Sequence, residues 1–198
     1  MNTTLLFVEI FISGVQGLVW AALLALNLAG YQWLTNAKLP DFGGWSFLVS
    51  ALIFSFAYSL GIVVDRTANA LYSNWDKKIG ARYFPSKDSV LKAVRFQVEN
   101  ENLNKALEYI RTRLRIARAS SINFLLIMIF SIGLISKLDF LSSMEKWKYG
   151  GIVAVIGLLF VIAFVGSWYS LTKANYRLVL ENTPDARKSK PATKQKRA

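Results

Sequence analysis

The chain contains no cysteine and no histidine. Their absence removes thiol nucleophiles, disulfides, the usual zinc and haem ligands, and the side chain that most often acts as a general base near neutral pH. No glycine-rich loop followed by lysine is present to cradle a phosphate, and there is no G-x-S-x-G elbow. What enzymatic chemistry would have left is a carboxylate-only site drawn from Asp65, Asp76, Asp88, Glu99 and Glu101. No enzymatic role, cofactor or metal is therefore expected. Acidic residues are also scarce: 12 Asp and Glu stand against 24 Lys and Arg, giving a formal net charge of +12.

What the chain has in abundance is uncharged apolar sequence. Stretches 10–37, 42–64, 119–136 and 149–172 carry no charge, and 54% of all residues are hydrophobic. About 20 apolar residues cross a hydrocarbon core as a helix, and no water is present there to satisfy an open backbone. The alternation expected of a transmembrane barrel is missing. The predicted fold is thus all-α: a polytopic membrane protein with four transmembrane helices and a cytosolic helical stalk or hairpin. Residues 1–64 hold helices one and two with a short external turn, 65–118 the cytosolic region, and 119–172 helices three and four. Residues 173–198 read as a basic, disordered cytosolic tail, most plainly from Pro184 on. The first span is read as retained rather than as a signal peptide, because its apolar run is too long and no Lys or Arg precedes it.

The charges divide into two compartments. Segment 65–118 holds 12 Lys and Arg against 6 Asp and Glu, and 173–198 holds 8 against 2, so these two segments supply the whole net charge. Basic flanks stay cytoplasmic, which predicts both termini and the long middle segment inside and two short turns outside. The expected location is the bacterial inner membrane, against anionic headgroups. Aromatic pairs Tyr31–Trp33 and Trp168–Tyr169 mark span ends.

Local patterns refine this outline. Val64, Ala68, Leu71 and Trp75 extend the second helix past its span, with a break expected near Gly80. Ser86 is suited to cap a new helix with Asp88 in its first turn, and Leu91, Val94 and Val98 form an apolar face. Leu103, Leu107, Ile110, Leu114 and Ala117 alternate steps of four and three, a coiled-coil seam that predicts one helix from about 103 to about 136, packed on the extension of span two.

Three constellations invite function. Glu9, Gln16 and Asn27 fall within about 20° of one line on the first helix, either a pore lining or a set of interhelical hydrogen bonds. Ser13, Gly17, Ala21, Ala25 and Ala29 form a small-x-x-x-small ladder for close packing within the chain or between subunits, with a weaker ladder at Ala51, Ser55 and Ser59. Arg111, Arg113, Arg115 and Arg118 crowd the entry to span three; they read as topological charges or as a docking surface for a soluble partner. Asp65 is placed to pair with this cluster. Direct nucleic-acid binding is not expected, since Tyr109 is the sole nearby stacking aromatic.

Four spans, a helical loop containing Val63-Val64-Asp65-Arg66-Thr67-Ala68-Asn69 and the run from Tyr109 to Arg118, and the lack of catalytic residues resemble the small membrane subunits of bacterial anti-phage defence operons. In size and layout the chain is most similar to the membrane subunit of the Kiwa system, with the channel subunit of the Hailong system a second of the same type. The Kiwa resemblance implies a homo-oligomer, for instance a tetramer, that holds a soluble DNA-binding protein at the membrane and responds to phage infection. The runner-up is an oligomeric ion channel or membrane-depolarising effector lined by Gln16 and Asn27, with Glu9 at its mouth.

Overall fold

A computed structural model describes residues 3–32, 45–84, 91, 93, 95–96 and 100–183. Within them are four long helices: α1 Thr3–Ala29, α2 Ser46–Tyr83, α3 Glu101–Lys137 and α4 Ser143–Asn182. Each is long and apolar enough to cross a membrane, and no strand occurs among the described residues. The chain is therefore an all-helical, multi-pass membrane protein. Trp33, the first turn around Lys38 and Asp41, Ser86, Asp88, Val94, Val98 and everything from Pro184 on lie outside the described residues.

The helices run up, down, up and down. Matching positions make this explicit: Asn27 meets Phe130 while Gln16 meets Ser120, so α1 and α3 are parallel. α2 and α3 each pack on all three of the other helices, and α3 does so most extensively. In the membrane-spanning half, large apolar residues such as Phe47, Leu52, Val155, Leu159 and Ile162 point outward. In water these would be costly to expose; in lipid they are the solvent-facing surface.

Where α1 crosses α2, glycine sets the distance. A Cβ on Gly14 would overlap the Ala57 carbonyl, and one on Gly61 would overlap the Ile10 carbonyl. This is close backbone approach of the small-residue kind, but it does not follow the ladder expected from sequence. Ser13 and Gly17 are buried, Ala21 is half-buried, and Ala25 and Ala29 are exposed. Each four-residue step turns the helix by about 400°, so the line drifts by about 40° per step and carries Ala25 and Ala29 off the face that holds Ser13 and Gly17. Ala51, Ser55 and Ser59 are exposed, and the inward line of α2 is Ala57, Gly61, Val64, Ala68 and Tyr72.

Beyond the spans, α2, α3 and α4 continue together as a three-helix stalk. Tyr72, Ile79, Ala117 and Trp168 form one core at its root, and Ala93, Leu103, Leu107 and Val179 form a second farther out. The helix break expected near Gly80 does not occur. A Cβ on Gly80 would come within 3.0 Å of the Tyr176 ring, so the missing side chain is what lets that ring of α4 pack there. Nor does the tail begin at 173: α4 continues to Asn182, with Val179 and Leu180 buried. The α3 seam packs on α4 as well as on α2, whereas only α2 was expected. Trp168 is buried at 4% exposure against Tyr72, with ring centroids 4.5 Å apart, so it serves the core rather than the membrane interface. Of the expected apolar face, Leu91 is exposed, and the neighbouring Ala93 is buried in its place.

The helix ends are set by local chemistry. Asn100 caps α3 by accepting from the Leu103 amide at 3.2 Å. Ser142 and Glu145 form a reciprocal capping box at the start of α4. Gly30, at φ +78°, takes the left-handed position just past α1.

Candidate functional site

The polar stripe of α1 faces α3. Gln16 Oε1 accepts from Ser120 Oγ at 3.0 Å and from Asn123 Nδ2 at 3.2 Å. Asn123 is fully buried; its other amide proton goes to the Ser13 carbonyl and its oxygen accepts from Trp20 Nε1, both at 2.9 Å. Asn27 donates to the Phe130 carbonyl at 2.8 Å, and Lys137 donates to the Asn27 carbonyl. These contacts form a ladder of hydrogen bonds between parallel helices, and each rung satisfies a group that hydrocarbon would leave bare.

At the stalk end of this ladder the groups become charged. Glu9, at 4% exposure, lies 3.6 Å from Arg115, close enough for an ion pair but too far for a hydrogen bond, so its Oε2 has no hydrogen-bond partner. Arg118 reaches Asp65 at 3.4 Å and donates to Asn69 Oδ1 at 2.9 Å. The Asp65 pairing is the one its sequence position suggested. A small recess of about 20 Å³ separates the two pairs, lined by Glu9, Ile10, Ser13, Asp65 and Arg115.

The four arginines thus do different things. Arg115 and Arg118 turn inward and tie α3 to α1 and α2. Arg113 turns outward and stacks over the exposed Tyr109 ring, 4.5 Å from its centroid. Arg111 joins Arg115 and Arg118 in lining a cavity of about 460 Å³ at the stalk root. Its other walls come from Asn69, Tyr72, Asp76 and Lys77 of α2 and from Trp168, Thr172, Asn175 and Tyr176 of α4. Thr172 Oγ1, Asn175 Oδ1 and Arg118 Nε are buried there without hydrogen bonds. Past the end of the span, burial pushes the Tyr176 phenol up to about 12, with the Asp76 carboxylate adding to the shift. The phenol is therefore neutral at physiological pH.

Among the described residues, the carboxylates that could have served catalysis are not gathered. Asp65 is held by Arg118, Glu101 pairs with Lys105 at 2.7 Å, and Asp76 stands alone among the cavity walls; Asp88 and Glu99 lie outside the described residues. No cluster of potential metal ligands occurs among the described residues. A recess of about 530 Å³ at the far end, lined by Ile132, Ile135, Trp147 and Ala154 together with Ser136, Ser143 and Lys146, is mainly apolar.

Sequence reasoning did not single out Asn123, Lys77, Thr172, Asn175 or Tyr176. For Asn123 a signal existed: Ser120, Ser121 and Asn123 stand together where the third apolar run begins, and polar residues inside a span call for partners. Thr172 and Asn175 carry no such mark. Comparison with family models, with curated proteins and with solved structures finds no match.

Proposed function

We propose that the chain is a non-enzymatic scaffold and sensor subunit of a bacterial inner membrane, with both termini cytosolic, that oligomerises and docks a soluble cytosolic partner of the anti-phage defence type. The observation that carries this reading is continuity. α2, α3 and α4 each pass from apolar span into charged stalk without a break, and two cores bind the stalk helices to one another. A protein seated on such a stalk is mechanically joined to helices inside the bilayer, as a sensor requires. The pairing of Gln16 and Asn27 with α3 supports the scaffold over the channel, since lining a pore with them would first break those bonds.

The docking surface is narrower than the full arginine cluster. Arg115 and Arg118 are engaged inside the chain, so the stacked pair Tyr109 and Arg113 presents the cationic, aromatic face a partner would meet. The exposed face with Ala51, Ser55 and Ser59 offers a second copy a site for close packing within the membrane. Co-expression with the soluble protein encoded beside this gene tests the reading. Tyr109→Ala with Arg113→Glu should lose at least ten-fold in co-purified partner while membrane insertion is kept, and Lys146→Glu at the opposite end should lose nothing. Undiminished recovery of partner with the double variant overturns it.

A further inference from the structure

The recess at the end of the molecule opposite the stalk has walls that sort by depth. On α4, Lys146, Gly150, Gly151 and Ala154 recur at steps of three and four and so share one face, with Ile132 and Ile135 of α3 across from them. Both isoleucines belong to the end of the uncharged run 119–136, and the glycines and Ala154 to the start of the run 149–172. The apolar walls therefore lie within the hydrocarbon. Lys146 stands before its edge, about 12 Å along α4 from Ala154.

Glycine does something different here from elsewhere in the molecule. At Gly14, Gly61 and Gly157 another helix occupies the place of the missing side chain, whereas a Cβ on Gly150 or Gly151 would meet nothing within 4 Å. The space is left open, and at about 530 Å³ it has the size of sites that hold small molecules. Apolar walls give water little to bind, and the neighbour at that depth of a bilayer is an acyl chain. The cation above it is held in place: the Lys146 ammonium donates one of its three protons to the Ser136 carbonyl at 3.1 Å, which leaves two. Neither Asp139 nor Glu145 lines the recess, and Glu145 is engaged by the Ser142 hydroxyl at 2.7 Å. A second copy related by a two-fold axis along the membrane normal would bring its own Lys146 to the same depth, like charge against like. An amphiphile with an anion above an acyl chain matches both the charge and the depth.

We propose that this recess binds an anionic phospholipid from the leaflet opposite the stalk, with one acyl chain lying along Gly150, Gly151 and Ala154 and the phosphate meeting Lys146. The lipid fills the space between α3 and α4 that their side chains leave empty. The site lies at the other end of the molecule from Tyr109 and Arg113 and does not depend on partner docking.

Full-length protein in mixed micelles is titrated with phosphatidylglycerol or phosphatidylcholine, and native mass spectrometry counts the lipid retained per chain. The parent should retain phosphatidylglycerol saturably and in preference to phosphatidylcholine. Lys146→Gln should weaken retention of phosphatidylglycerol about five-fold, the worth of one basic residue at a headgroup, and leave phosphatidylcholine as it was. Lys146→Arg should restore the preference. Gly151→Leu sends a side chain into the open space and should cut retention of both lipids about ten-fold or more; Gly150→Leu repeats the measurement should the first variant fail to insert. Lys148→Gln, at an exposed position that does not line the recess, should change nothing. The proposal is overturned if the parent retains the two lipids alike, or if the leucine variants hold as much lipid as the parent. A smaller oligomer from Gly151→Leu with its lipid intact would assign the recess to a second copy and overturn it equally.

Discussion

Asn123 commits both amide protons and its carbonyl oxygen to α1, which makes it the residue most worth removing. Hydrogen bonds between transmembrane helices are worth about 0.6 kcal/mol each, so Asn123→Leu should cost roughly 2 kcal/mol when unfolding is titrated in mixed micelles. Trp20→Phe should cost about 0.6 kcal/mol alone and almost nothing in the Asn123→Leu background, since the shared bond has already gone. Equal cost in both backgrounds would mean that the indole and the amide do not interact. The ion pairs at the stalk end follow another logic. The Asp65 and Arg118 side chains are 28% and 17% exposed, so solvent screens them only in part and the pair acts mainly as a positioning device.

Among the elements, the α1–α2 crossing is decided by two glycines. Because the chain has no native cysteine, Phe11→Cys and Phe54→Cys give a clean reporter where the two rings stack 5.4 Å apart. A short thiol crosslinker should join them in the parent and in Ala25→Leu, whose position is exposed, but not in Gly14→Leu, whose side chain would collide with the Ala57 backbone. Crosslinking that survives Gly14→Leu would show that the helices can separate without losing their register. The elements were the most legible part of the sequence, because periodicity and apolar length are local properties. The seam beginning at Leu103 foretold α3 almost to its ends. What misled was partner-dependent. Gly80 looked like a stop because glycine weakens a helix by about 1 kcal/mol, yet Tyr176, almost a hundred residues away, needs that empty space. The ladder from Gly17 to Ala29 marked small residues correctly, but a four-residue line drifts around the helix, and only its first members are buried. In the same way the arginine cluster was visible as a cluster, while its division between inward and outward residues depended on Glu9 and Asp65 from other helices. Thr172 and Asn175 are ordinary residues until three helices close around them.

For the whole molecule, the charge asymmetry gives an orientation that single introduced cysteines can read in intact cells. Met144→Cys, 83% exposed just past the turn between α3 and α4, should react with a membrane-impermeant maleimide from outside. Lys105→Cys, on the exposed side of the stalk, should react only after permeabilisation. The reverse pattern would invert the topology and place the stalk outside. The central position of α3 also bears on how the protein is made. While a ribosome has delivered α1 and α2 but not yet α3, Gln16 and Asn27 wait in the bilayer without the helix that satisfies them, and Glu9 waits without Arg115. The first hairpin is thus a provisional resident of the membrane, packed at Gly14 and Gly61 but with its polar flank unpaired until synthesis passes α3. A nascent chain that stalls before that point advertises its own incompleteness, and one that passes it conceals the signal by folding.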